Sequence, residues 1–135
     1  MPPGNKIADT ALRIPCSKER FLYRFFDLLR PVHQLTQKEM EVAVCFVEHW
    51  YKLQATVKDD KQLNQLLFSV QEKTQICQEL GLSAQHMRKI MMKLKQRNII
   101  INGKLNYRFI PHHEEGSPYR IMFIIDDAET TGANH

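Results

Sequence analysis

The segment Gln75-Ile76-Cys77-Gln78-Glu79-Leu80-Gly81-Leu82-Ser83-Ala84-Gln85-His86-Met87-Arg88-Lys89-Ile90 decides how this chain folds. Apolar residues recur at helical spacing on both sides of its centre. They predict one helix over residues 73–80 and a second that begins after Ser83 and runs to about residue 97. Gly81-Leu82 leaves room only for a tight turn between them. Beyond the second helix the period changes. Asn98-Ile99-Ile100-Ile101 predicts a strand. Asn102-Gly103 is a favoured two-residue hairpin turn, because both positions tolerate positive φ. A return strand is expected over 104–110, where Leu105, Tyr107 and Phe109 alternate, and Pro111 ends it.

Helix, tight turn, helix and β-hairpin is the order of a winged helix-turn-helix domain, and the quoted segment closely resembles that family's core motif. The resemblance runs position by position. Ile76 and Leu80 match the buried face of the first helix, and Cys77 the small residue at the helix crossing, where alanine is usual. Gly81 matches the left-handed turn that glycine adopts at no steric cost. Leu82 plugs the corner, Ser83 caps the second helix through its hydroxyl, and Met87, Ile90 and Leu94 hold that helix to the core. The resemblance is specific over 73–110 and extends more loosely back to Thr36, whose long helix corresponds to the family's first. The insert over 54–70 is longer than the simplest members need, and residues 1–35 and 111–135 have no counterpart.

Working outward, residues 1–16 are rich in proline and small polar residues and are expected to form an extended arm. Ser17 starts a predicted helix to about Arg30, with Phe21, Leu22, Phe25, Phe26, Leu28 and Leu29 at helical spacing, and Pro31 cannot continue it. Thr36-Gln37-Lys38-Glu39 is a capping box, with Leu35 and Met40 placed as a hydrophobic staple. The helix that follows, to about Leu53, is apolar on more than one side and so should be central. Asp59 or Asp60 caps a further helix carrying Leu63, Leu66 and Leu67. Downstream, Tyr119, Ile121, Phe123 and Ile125 alternate with Arg120, Met122 and Ile124, predicting a third strand. The acidic stretch 126–135 reads as a flexible tail. The expected fold is mainly α with a small β-sheet: a single winged-helix domain over 17–125, with an extra N-terminal helix and a C-terminal strand.

In the winged-helix family the second helix of the motif enters the DNA major groove. The resemblance therefore implies sequence-specific binding of double-stranded DNA, as in a transcriptional regulator. Burial leaves Ala84, Gln85, Arg88, Lys89, Met92 and Lys93 on the outer face. Gln85 can pair with adenine, Arg88 with guanine, and Ala84 can meet a thymine methyl. Ser83, Lys89, Lys93, Lys95 and Arg97, with Lys104 at the wing tip and Arg108 on the return strand, are the expected phosphate contacts. The formal net charge of +4 is unevenly spread. Between residues 72 and 108, Lys73, Arg88, Lys89, Lys93, Lys95, Arg97, Lys104 and Arg108 stand against Glu72 and Glu79, a local +6. An alternative from another class is an assembly module, such as a phage or mobile-element packaging or replication adaptor. The phenylalanine-rich helix between Phe21 and Leu29, or the strand between Tyr119 and Ile125, would then meet a second copy or a protein partner.

Other classes find little support. Cys16, Cys45 and Cys77 are widely spaced and form no CxxC pair, so neither a disulfide framework nor a zinc site is expected. His112-His113-Glu114-Glu115 is a run of adjacent loop residues that do not converge on one ion. His49 and His86 lie within predicted helices and read as surface or half-buried residues, and Trp50 and Met91-Met92 as packing. There is no GxxxxGK[ST] loop and no GxSxG, so neither an enzyme nor a bound cofactor is expected. No apolar run is long enough to span a bilayer and the N-terminus lacks a signal peptide, so the expected location is cytoplasmic. It would be nucleoid-associated when bound to DNA, or in a virion under the assembly alternative.

Overall fold

The computed structural model describes residues 12–112 and 116–125. Among these, six helices run in the order α1 (Phe21–Leu28), α2 (Arg30–His33), α3 (Gln37–Gln54), α4 (Asp60–Leu67), α5 (Val70–Leu80) and α6 (Ala84–Gln96). A two-stranded antiparallel sheet follows, β1 (Ile100–Ile101) and β2 (Lys104–Leu105), in the register Ile100 to Leu105 and Ile101 to Lys104. Single 3₁₀ turns lie at Lys18–Arg20 and Tyr107–Phe109. The chain is therefore mainly helical with one small sheet.

Short polar side chains set most of the helix starts. The Thr36 hydroxyl accepts from the Glu39 N–H at 3.3 Å, and the Glu39 carboxylate accepts from the Thr36 N–H at 2.9 Å, completing the box. Asp59 caps α4 and Ser69 caps α5, accepting the N–H groups of Gln62 and Glu72 respectively. The Ser69 cap places the start of α5 at Val70, three residues earlier than the apolar pattern suggested. α3 is buried on several sides, through Met40, Val42, Ala43, Val44, Phe46, Val47 and Trp50, and it touches α1, α4, α5 and α6. Phe26, Leu67, Ile76, Leu94, Ile99 and Ile110 close the core around it.

The expected helix over 17–30 is divided. Leu29 leaves helical geometry (φ −92°, ψ 9°), and Pro31 sits in the first turn of α2, where its missing N–H costs nothing. Ser17 makes no side-chain cap. α2 positions His33, which is fully buried. Its Nδ1 accepts the Leu35 N–H at 2.9 Å, so Nε2 carries the proton and donates to the Phe26 carbonyl at 2.7 Å. This neutral imidazole ties α1 to the start of α3.

Two strand expectations are corrected. The return strand stops at Leu105 because the Asn106 carboxamide accepts the Arg108 N–H at 3.1 Å and donates to the Asn98 carbonyl at 2.8 Å, turning the chain into a 3₁₀ turn. Tyr107 and Phe109 thus lie on a turn, with Phe109 stacked on Phe26 in the core. Residues 119–125 form no strand: they carry no regular secondary structure and pair with no strand among the described residues. Tyr119 packs edge-on to Phe21 and Phe25, whereas Met122, Phe123, Ile124 and Ile125 are exposed. Residues 1–11, His113, Glu114 and Glu115, and the tail 126–135 lie outside the described residues. Among the described residues no helix is long and apolar enough to cross a membrane.

Candidate nucleic-acid interface

The turn between α5 and α6 forms as its sequence dictates. Gly81 takes φ +67°, a left-handed conformation, and the N–H groups of Gly81 and Leu82 close on the Cys77 carbonyl. The Ser83 hydroxyl then accepts the His86 N–H at 3.0 Å and starts α6. Met87, Ile90 and Leu94 turn inward. That burial places Ala84, Gln85, Arg88, Lys89 and Met92 on the outer face as expected, together with Lys95, all exposed, whereas Lys93, also expected there, is half-buried. The first turn of α6 contains no carboxylate, while Lys93 and Lys95 lie in its last turn, where cations suit the helix dipole. Among the described residues, none of Arg88, Lys89, Lys93 and Lys95 makes an ion pair or side-chain hydrogen bond.

Of the remaining expected phosphate contacts, Lys104 and Arg97 are less free. Lys104 pairs with Asp60 on α4 at 2.9 Å. Asp60 also accepts from the Tyr107 hydroxyl at 2.5 Å, and that bond, followed by the one from Lys104, holds its carboxyl below the usual range. The neighbouring Asn64 is buried. It donates to the Asp60 carbonyl at 2.9 Å and accepts the Leu105 N–H at 3.0 Å, so α4 fixes the position of the hairpin. Arg97 is half-buried and its buried Nε has no hydrogen-bond partner among the described residues, so it projects less freely than the α6 cations. Arg108 is exposed, on the 3₁₀ turn and not on a return strand.

A second polar constellation lies between α3 and α5, and the motif reading missed it. His49, expected at the surface or half-buried, is buried. Its Nδ1 lies 2.8 Å from a Glu72 oxygen, and its Nε2 lies 3.3 Å from both Glu79 oxygens. The Cys45 thiol donates to Glu79 at 3.2 Å. Burial, with that bond second, pushes the Cys45 thiol up to about 12, and the same bond holds the Glu79 carboxyl below its ordinary range. A signal was present: Cys45 and His49 are four residues apart on one helix, and Glu72 and Glu79 seven apart on another, so each pair shares a face.

Comparison with protein-family models, with curated proteins and with solved structures finds no match to this chain.

Proposed function

We propose that this chain binds double-stranded DNA without catalysis, as a sequence-specific regulator, with α6 in the major groove. The observation that carries this reading is the outer face of α6, where basic side chains stand without any acidic partner among the described residues. Ion pairs occupy other cations of the chain, such as Arg30 with Asp27 and Lys104 with Asp60. Charges that do nothing for the fold suit an anionic partner.

The order of α3, α5, α6 and the hairpin resembles that of a winged helix-turn-helix, and the docking mode of that family suggests the roles. Ala84, Gln85 and Arg88 lie near the N-terminal end of α6, the end that meets base edges. Lys89, Lys93 and Lys95 are spaced to meet phosphates along the groove walls, with Ser83 and the carboxylate-free N-terminus of α6 as a further anion contact. Lys104 reaches phosphate only in competition with Asp60. Arg108 is the freer contact beside the hairpin, and Arg97 is half-buried.

Titration with short duplexes at several salt concentrations tests this, with the Arg88→Ala/Lys89→Ala variant alongside. The expected result is binding whose logarithm falls with log salt by about 0.9 per phosphate contact. Loss of Arg88 should remove about 1–3 kcal/mol from the specific complex. Absence of binding at low salt, or indifference to the double substitution, overturns the proposal.

The exposed segment 119–125 favours a second role beside this one. Its backbone, which pairs with no strand among the described residues, and its exposed apolar side chains suit strand addition to another chain, either a second copy or an assembly partner. Light scattering tests self-association. A dimer at high micromolar concentration that dissociates on Phe123→Asp supports it, and a monomer removes the second copy.

A further inference from the structure

We propose that Cys45, His49 and Glu79 form a binding site for a borderline-soft divalent transition-metal ion such as Zn²⁺, with Glu72 as the group that orients the histidine. This goes beyond the DNA-binding reading and does not depend on it.

The side chains come from two helices packed in the core. Cys45 and His49 stand one turn apart on α3, and Glu79 faces them from α5. One ligand atom from each, Sγ, a ring nitrogen and a carboxylate oxygen, lies within 4.8 Å of the others. A tetrahedral Zn²⁺ with bonds of roughly 2.0–2.3 Å separates its ligands by about 3.5 Å, so small side-chain rotations bring the three together. Thiolate, imidazole and carboxylate are the ligand types that zinc takes, and they disfavour the hard cations Mg²⁺ and Ca²⁺.

The surroundings of His49 add an independent argument. A neutral imidazole carries one N–H, yet both ring nitrogens of His49 face carboxylates. With the proton on Nδ1 and donated to Glu72 at 2.8 Å, Nε2 turns a lone pair toward Glu79. Either a second ring proton or a metal cation between Nε2 and Glu79 satisfies both groups, and the Cys45 sulfur beside them suits the metal. A carboxylate on the far nitrogen of a histidine is also the outer-shell arrangement that fixes the ligating tautomer in metal sites.

Access and charge fit as well. Cys45 and His49 form the buried wall, while the Glu79 side chain is 41% exposed and opens the site to solvent. Glu48 lies nearby, with Lys52 as the opposing cation, and Gln75 donates to the Glu79 carboxylate at 3.4 Å. Metal binding breaks the Cys45 S–H bond, forms a sulfur–metal bond and releases one proton to solvent. Three protein ligands leave a fourth position for water.

The test uses the full chain with Cys16→Ser and Cys77→Ser, so that Cys45 is the only thiol. After chelation, Co²⁺ is added and the sulfur-to-cobalt charge-transfer absorption is followed. The expected result is a band that saturates at one equivalent and is displaced by Zn²⁺. Glu79→Gln should weaken binding at least tenfold, and Glu72→Gln about 10- to 100-fold. Zn²⁺ should raise the melting temperature of this background but not that of the same chain with Cys45→Ser, which circular dichroism would show to be folded. Absence of the band in excess Co²⁺, or affinity unchanged by Glu79→Gln, overturns the proposal. So does an equal Zn²⁺-dependent rise in melting temperature with Cys45→Ser.

Discussion

The interior around α3 and the outer face of α6 treat polar groups in opposite ways. In the interior, His33 and His49 are buried and each ring nitrogen has a partner within 3.3 Å. On α6, Arg88 and Lys89 are exposed, and their side chains make no ion pair or hydrogen bond among the described residues. A buried polar group left unpaired costs folding free energy, so the interior groups answer to the fold. A solvated cation costs almost nothing, so nothing in the fold requires the α6 face to be basic. The difference separates residues that hold the chain together from residues available to a partner. It also predicts that substitutions in one region leave the property of the other largely untouched.

The largest expected effect comes from reversing charge on the face. If α6 binds DNA as proposed, Arg88→Glu/Lys89→Glu turns two attractions into two repulsions and should raise Kd at low salt by at least about 100-fold. The midpoint of urea unfolding should shift by no more than the equivalent of about 0.5 kcal/mol, because neither side chain is buried or paired. Fluorescence anisotropy and a urea titration on the same preparation check both halves. A large loss of stability would break the comparison. The counterpart in the interior is His49→Ala, which leaves the carboxylates of Glu72 and Glu79 without their shared partner and opens a gap between α3 and α5. A loss of about 2–3 kcal/mol is expected by urea denaturation, with DNA affinity of the folded protein little changed.

The same division explains what could be read from residues alone. The Thr36 box, the Gly81 turn, the Ser83 cap and the Asn102-Gly103 turn depend on backbone within three or four residues, so local chemistry decides them. The outer face of α6 followed, because Met87, Ile90 and Leu94 left one face over. The return strand was overestimated because its end depends on Asn106 reaching back to Asn98, a contact that period-two alternation does not encode. Alternation over 119–125 was equally clear, but a strand needs a neighbour, and no stretch of sequence contains that information. The seam of Cys45, His49, Glu72 and Glu79 joins residues 23 to 34 positions apart, so only the packing of α5 on α3 brings it into being.

Acidification offers a finer cut between the two regions. Burial, more than any other cause, lowers the pKa of His33 from its ordinary 6.5. As pH falls below about 6.5, the unfolded chain takes up the proton first, so stability present above that pH declines toward and through the lowered folded-state pKa. In geometric terms, a proton on Nδ1 would face the Leu35 N–H that Nδ1 now accepts. The urea midpoint should fall between pH 7 and pH 5, and His33→Gln should flatten that slope while lowering stability throughout. Asp60 and Glu79, whose carboxyls are held low, lose their contributions only below the ordinary carboxylate range and so do not mask this window. A slope unchanged by His33→Gln would assign the pH dependence elsewhere.

The smallest expected effect lies where the two regions meet, at the hairpin tip. Lys104 belongs to the basic surface by sequence, yet Asp60 holds it at 2.9 Å and adds a carboxylate facing any approaching phosphate. Asp60→Asn removes that charge and frees Lys104. Both groups are substantially exposed, so the stability cost should stay within about 0.5 kcal/mol. DNA affinity should rise about two- to fivefold at low salt, and the salt slope should steepen by about one contact as Lys104 joins the others. If instead affinity falls, Asp60 serves the interface by orienting the hairpin through Lys104 and Tyr107. The wing tip would then belong with the interior, where partners fix position, and the free basic surface would end with α6.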